Sequence, residues 1–389
     1  MLSEDEKACL ARIKAFAAAD VAPQAAGWAA GQSPDSVLLA KAAEVGLTRL
    51  EVPIDNGGLG FGFALKARAC ELLAAADFGF AMSMVNSHNV ALKLAQCAPR
   101  RVAEKYLPAL LSGHLSACTA LSEPGTGSDF AAIETRARKT SGGWTLDGEK
   151  SWIVNARHAG IAVVYAQCSA ASGRDGIGAF LVDLTTQDSR RYAVDSTFSQ
   201  TSTGTGGFVL DGYQVPEENL LLAPGAAFKS ILNEINGARA YVAAMCCGML
   251  DAALRQTAAY GESRHTFGAP LSGHQAWRLD QARASTDLAA ARALVAQAVQ
   301  GVAAGQAGRQ DVQLLSAQAK IHAVGVCQHH LPVLLHAMGA EGLRPKYSFT
   351  RHLAAAQIAA LVDGSTEMLL ERVARLARPK VSRAITPKG

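Results

Sequence analysis

Two segments near the middle of this 389-residue chain carry residue types suited to holding a flat, polar ring. The first, Leu121-Ser122-Glu123-Pro124-Gly125-Thr126-Gly127-Ser128-Asp129, is punctuated by proline and small residues. That is the composition of a turn whose backbone amides can lie against such a ring. The second, Lys150-Ser151-Trp152-Ile153-Val154-Asn155, sets an indole in a β-branched run, where its face can cover the ring. Taken one at a time they are only a turn and a strand. The eight cysteines show no Cys-x-x-Cys spacing and the ten histidines no His-Glu-x-x-His spacing, so no metal site is expected.

The chain is long enough for two or three domains and a large core. Hydrophobic residues make up 49% and aromatics only 6%, so the apolar mass is mainly Ala, Leu and Val, which suits closely packed helices. A net charge of +4 is too mild to point to nucleic acid. No apolar run approaches the roughly 20 residues of a membrane span. The opening Met1-Leu2-Ser3-Glu4-Asp5-Glu6-Lys7 is acidic and lacks the basic start and apolar middle of a signal peptide. Scattered cysteines in an Ala-rich chain read as reduced core thiols, so a cytoplasmic location is expected.

The texture divides the chain into three. Residues 1–115 read as a helical domain, with helical periodicity over Lys7–Ala19, Asp35–Val45 (after Ser33-Pro34, a cap and a first-turn proline), Leu65–Ala76 and Arg100–Leu111. Residues 116–225 read as a small β-barrel or sandwich. An Asp147-Gly148 hairpin turn and short strands over Ile161–Gln167, Gly178–Leu184 and Gly207–Leu210 support this. Residues 226–389 read as long antiparallel helices over Ala226–Ser263, Pro270–Ala304, Asp311–Met338 and Tyr347–Arg378, with a polar tail from Pro379. The fold class is α+β, mainly α.

In this order and spacing, the Leu121–Asp129 turn and the Trp152 strand resemble the flavin-binding signature of the acyl-CoA dehydrogenase family, and the resemblance runs over nearly the whole chain. It independently implies an N-terminal helical domain, a central barrel and a C-terminal four-helix bundle. The segment Val45-Gly46-Leu47, Pro53 and Gly57-Gly58-Leu59-Gly60 is similar to a family loop, though glycine clusters are also ordinary loop punctuation.

The resemblance assigns FAD as cofactor and distributes its contacts. Leu121, Ser122, Gly127 and Ser128 would meet the flavin, with Ser128 also toward the substrate's pantetheine, and Trp152 would pack on the ring. Val154 stands where the family commonly has a hydroxyl that reaches flavin N5; valine keeps the shape but cannot donate. Arg264, Phe267 and Gln275, in Arg264-His265-Thr266-Phe267-Gly268 and seven residues on, would serve the phosphates and adenine half across a subunit interface, where a guanidinium's fixed fork suits pyrophosphate. His336, Gly339 and Ala340 match a glycine-rich family loop, with His for Gln and Ala for Gly. On composition alone the two segments read as helix ends.

The catalytic base is implied at Asp363, within Leu361-Val362-Asp363-Gly364-Ser365-Thr366-Glu367, where the family usually has glutamate. Composition alone reads Asp363-Gly364 as a surface turn. Ser365 and Glu367 would touch FAD, and Gly364, Asn236 and Arg239 the substrate, though Asn236 and Arg239 also read as helix-surface residues. The family's Arg-Asp pair upstream is Ala354-Ala355 here, and the alternative base position is Ala238, leaving Asp363 as the carboxylate at a base position.

The implied reaction is α,β-dehydrogenation of an acyl thioester, on CoA or a carrier protein. Asp363 takes the α-proton while the β-hydride passes to flavin N5. Aspartate is shorter than glutamate by one methylene, roughly 1.5 Å of reach. Displacements of about 1 Å can change rates by about a hundredfold. The alternative is a flavin-dependent monooxygenase on the same scaffold, which Val154 and Asp363 favour; a scaffold without FAD is a third reading. An electron-transfer flavoprotein partner and a homodimer or homotetramer are implied as well.

Overall fold

The computed structural model describes residues 2–169, 173–186, 189–194 and 201–377. Six helices come first: α1 (Glu4–Phe16), α2 (Ala25–Ala29), α3 (Ser36–Glu44), α4 (Phe63–Ala74), α5 (Phe78–Cys97) and α6 (Arg100–Leu111). Ser3 caps α1 in a box with Glu6, which explains the sharp start of that helix. The cap of α3 is Asp35, whose carboxylate accepts from the Leu38 N–H, rather than Ser33 ahead of Pro34. α5 was not among the helices expected from periodicity. It is buried on nearly all sides and so has no polar stripe to give the period away.

Among the described residues eight strands follow: β1 (Ala117–Ala120), β2 (Arg136–Thr140), β3 (Gly143–Ile153), β4 (Ile161–Gln167), β5 (Ile177–Asp183), β6 (Arg191–Ala193), β7 (Gly206–Pro216) and β8 (Leu220–Leu222). They form one sheet in the order β6-β7-β3-β2-β4-β5-β8, with β1 parallel to β4. β4 is buried along its whole length, as its unbroken Ile-Ala-Val-Val-Tyr-Ala run requires. Asp147-Gly148 does not turn a hairpin. β3 runs straight through it, and the register against β7 slips there between Leu146 and Gly148 as a bulge. Gly148 has φ +151°, and a Cβ there would collide with Thr135.

The last third is helical: α7 (Ala227–Ser263), a small hairpin of β9 (His265–Thr266) and β10 (Ala269–Pro270), then α8 (Gln275–Ala303), α9 (Gln310–Ala337), α10 (Phe349–Leu361) and α11 (Thr366–Leu376). The expected single helix over Tyr347–Arg378 is two, bent by 46° at the Asp363-Gly364 turn. Arg378 and the expected tail from Pro379 lie outside the described residues. The architecture is the α+β, mainly helical one read from the sequence. The largest core cluster joins α1, α3, α4 and α5 to the faces of α7, α8, α9 and α10. No single described helix is long and apolar enough to cross a membrane.

Candidate active site

The Leu121–Asp129 turn is pinned to β3 by a buried ion pair. Glu123 accepts from Lys150 Nζ at 2.7 Å, from Thr135 Oγ1 at 2.5 Å and from the backbone N–H groups of Glu134 and Thr135 at 2.6 and 3.0 Å. Lys150 also donates to the Leu121 carbonyl at 3.0 Å, and the Ser151 N–H donates to the Ser122 carbonyl at 3.1 Å. Burial works against both charges. It pulls Lys150 down to about 8, while for Glu123 the Lys150 charge and the hydrogen bonds outweigh it and hold the carboxyl below its usual value. Sequence reasoning read these two residues as a turn and a strand and missed that they lock one to the other.

This anchoring leaves the rest of the segment open. Ser122 is half-buried, and Gly127 and Ser128 are exposed. Trp152 sits at a register break near the end of β3 with φ +60°, and 61% of its surface is accessible. An indole held outside the core by a left-handed backbone is available to a flat partner. Val154 turns inward against the helical core. Asn155, at φ +68°, is buried and donates to the Ser83 and Ala117 carbonyls, both at 2.9 Å, which fixes the β-domain to α5.

The Asp363-Gly364 turn is held from two helices. Both residues have positive φ, +53° and +102°. Arg239 on α7 donates from Nε to the Asp363 carbonyl at 3.0 Å. Lys320 on α9 donates to the Gly364 carbonyl at 2.6 Å and to the Val362 carbonyl. Three successive carbonyls are thus bound by two buried cations. Arg239 is oriented by Asn236 Oδ1 at 2.7 Å, and Asn236 in turn donates to the Ala307 carbonyl at 3.0 Å. Asn236 and Arg239 are therefore buried structural partners of the turn, not helix-surface residues. Lys320 was absent from the sequence reading. It provides the cationic setting that Ala354-Ala355 cannot.

The Asp363 carboxyl itself makes no hydrogen bond among the described residues. Burial raises its pKa, and the charges of Lys320 and Arg239 offset part of that rise. The Asp363 N–H also finds no acceptor among the described residues. Ser365 is engaged as the cap of α11, accepting from the Met368 N–H at 3.3 Å, while Glu367 is exposed in the first turn of that helix.

The remaining candidates gather at the other end of α7. Arg264 ends that helix, and the β9–β10 hairpin lifts Phe267 to full exposure at φ +50°. Gln275 opens α8, and Trp277 Nε1 donates to the Ala337 carbonyl at 3.3 Å. That bond brings the start of α8 to the end of α9, where His336, Gly339 and Ala340 are exposed. Arg264 lies about 37 Å along the helix from Arg239, at 1.5 Å per residue. Phe130, just past the 121–129 turn, packs on Phe228 at the start of α7, with ring centroids 5.1 Å apart. Within one chain the turn therefore lies beside the start of α7, Asp363 is held part-way along it at Arg239, and the Arg264 set lies at its far end.

Profiles of the acyl-CoA dehydrogenase N-terminal, middle and C-terminal domains match residues 3–114, 118–213 and 226–377. The chain belongs to the acyl-CoA dehydrogenase family. It is 28% identical over 330 residues to the short-chain specific acyl-CoA dehydrogenase of Rattus norvegicus, covering 84% of this chain and 79% of that protein. Butyryl-CoA dehydrogenase from Megasphaera elsdenii superposes with a TM-score of 0.89 at 27% identity, over 97% of this chain and 99% of that one. A chain from a structure described as the electron transferring flavoprotein of Acidaminococcus fermentans superposes with a TM-score of 0.90 at 26% identity, over 97% and 98%.

Proposed function

We propose that this protein catalyses FAD-dependent α,β-dehydrogenation of an acyl-CoA thioester, with Asp363 as the base. One observation carries the assignment: a desolvated carboxyl without a hydrogen-bond partner stands on a clamped turn whose own N–H is also free. A base needs the first property. A donor to the thioester oxygen, which makes the α-proton acidic, needs the second.

The residues fit FAD. The exposed Trp152 and the Ser122 hydroxyl, which has no partner among the described residues, suit the flavin ring, with Leu121, Gly127, Ser128 and Val154 around it. Arg264 and Gln275 likewise carry side chains without hydrogen bonds among the described residues and suit the phosphates, with Phe267, His336, Gly339 and Ala340 beside them. Ser365 and Glu367 complete the set. Bound FAD would supply the acceptor for the β-hydrogen, which leaves as hydride. Asp363 holds the α-proton at its carboxylate, Gly364 lets the backbone approach, and Asn236 and Arg239 act by fixing the turn.

The distance between the two ends of α7 favours a homodimer or homotetramer, in which one protomer's Arg264 set serves the cofactor beside another's Trp152. Electron-transfer flavoprotein is the proposed acceptor, and the cytoplasm the proposed compartment. The relatives named for dehydrogenation give the monooxygenase alternative no support. The test is a panel of CoA and carrier-protein thioesters with a dye acceptor. Turnover to the enoyl product is expected, with a loss of at least about a thousandfold in Asp363→Asn, in line with removal of a general base. A wild-type protein that bleaches with no thioester, or an Asn variant of full activity, overturns it.

A further inference from the structure

Beside the Asp363 turn lies a polar chain that the reaction described above does not use. Lys66 on α4 donates to Asn89 Oδ1 at 3.2 Å, and Asn89 on α5 donates from Nδ2 to the Tyr241 hydroxyl at 3.3 Å. The direction of this chain is fixed at its source. An ammonium only donates, so the Asn89 oxygen must face Lys66 and its amide hydrogens must face Tyr241. The Tyr241 oxygen is therefore an acceptor in this pair. Its own hydrogen has no acceptor among the described residues, although Tyr241 is only 5% exposed. A buried donor left idle is costly unless something else accepts from it.

Tyr241 follows Arg239 by two residues on α7, and Arg239 holds the Asp363 carbonyl. The hydroxyl also feels the Asp363 charge, which adds to burial in keeping it protonated. The Lys66 ammonium lies 4.9 Å from the Phe63 ring centroid and 5.7 Å from that of Tyr241, and both rings belong to the large helical core cluster. An acyl group reaching this point between α4, α5 and α7 would thus meet two aromatic rings, a Lys66 already paired with Glu51, and a Tyr241 O–H without an acceptor among the described residues.

We propose that Tyr241, oriented by Asn89, reads an uncharged oxygen atom on the acyl group, at or beyond the γ-carbon. The position follows because the α- and β-carbons are the ones that react; the inference rests on Asp363 marking that centre. The charge follows from the surroundings. Lys66 is already paired with Glu51, so no unbalanced cation awaits a carboxylate, and Asp363 would repel one. A hydroxyl or ether oxygen accepts from Tyr241 without that penalty. The substrate class is then an oxygenated acyl-CoA rather than a plain alkanoyl-CoA.

The experiment compares butyryl-CoA with 4-hydroxybutyryl-CoA on the FAD-loaded protein, by titration calorimetry and by turnover with a dye acceptor. Wild-type protein is expected to bind the hydroxylated thioester about tenfold more tightly, the worth of one buried hydrogen bond. In Tyr241→Phe that ratio should fall to about one, and Asn89→Leu should reduce it with the tyrosine in place. Equal affinities in the wild type, which requires no variant to fold, overturn the proposal. So does a preference that survives Tyr241→Phe. Failure of both thioesters to bind overturns it together with the thioester reading. A binding preference without turnover of either supports this subsite and counts against Asp363 as the base.

Discussion

Lys320 donates its ammonium to the carbonyl of Gly364 at 2.6 Å, one residue beyond the Asp363 carboxyl. A cation that fixes the backbone of a base also sets its proton affinity, because its charge lowers the Asp363 pKa that burial raises.

Lys320→Met should therefore loosen the turn and move the acidic limb of the kcat/KM profile to higher pH. The base is active when deprotonated, and losing the neighbouring charge raises its pKa further. An activity loss of about tenfold or more near neutral pH is expected, with partial rescue in Lys320→Arg. An unmoved limb would count against the coupling. Lys320 itself is pulled down to about 8 from 10.5 by burial. The native protein then sheds this proton in a pH range where the unfolded chain keeps it. This group's contribution to stability grows as pH rises between those values, while the charge on the clamp is lost. Activity and resistance to denaturant should diverge above pH 8.

Lys150→Met strands Glu123 in the interior without its partner. A destabilisation of about 3–5 kcal/mol is expected in denaturant unfolding, as for other broken buried pairs. Adding Glu123→Gln should recover part of it, because the uncompensated charge is gone. For Glu123, whose folded pKa is lowered, the stabilisation holds above the unfolded carboxylate pKa and disappears as pH falls through the folded one.

Phe267→Asp changes a fully exposed side chain, so the subunit fold should be unaffected. If the hairpin serves a neighbouring protomer's cofactor, FAD content after desalting should fall at least several-fold, with weaker assembly in sedimentation. Unchanged cofactor content and assembly would place Phe267 outside that contact.

The α-β-α order was legible because unbroken apolar strand runs and long amphipathic helices announce themselves locally, as at Ile161–Gln167 and in α7. Failures came where burial erased local contrast. α5 is buried nearly all round, polar residues included, and Asp147-Gly148 has the composition of a turn but sits inside a strand whose partner is β7. The site divides similarly. Trp152 and Asp363 could be singled out because they stand in compact motifs. Lys320 carries no local signal, since the carbonyls it binds lie more than forty positions onward and meet it only after α9 packs beside the turn. Glu123 and Lys150 were in view from the start, but a 27-residue separation hides an ion pair.

The helix α7 runs for 37 residues without a proline. It has no joint at which Arg239 could shift while Arg264 stayed still. Such an unbroken rod makes the acid's seat and the distant hairpin one mechanical body, so a tilt admitted at either tip is delivered to the other.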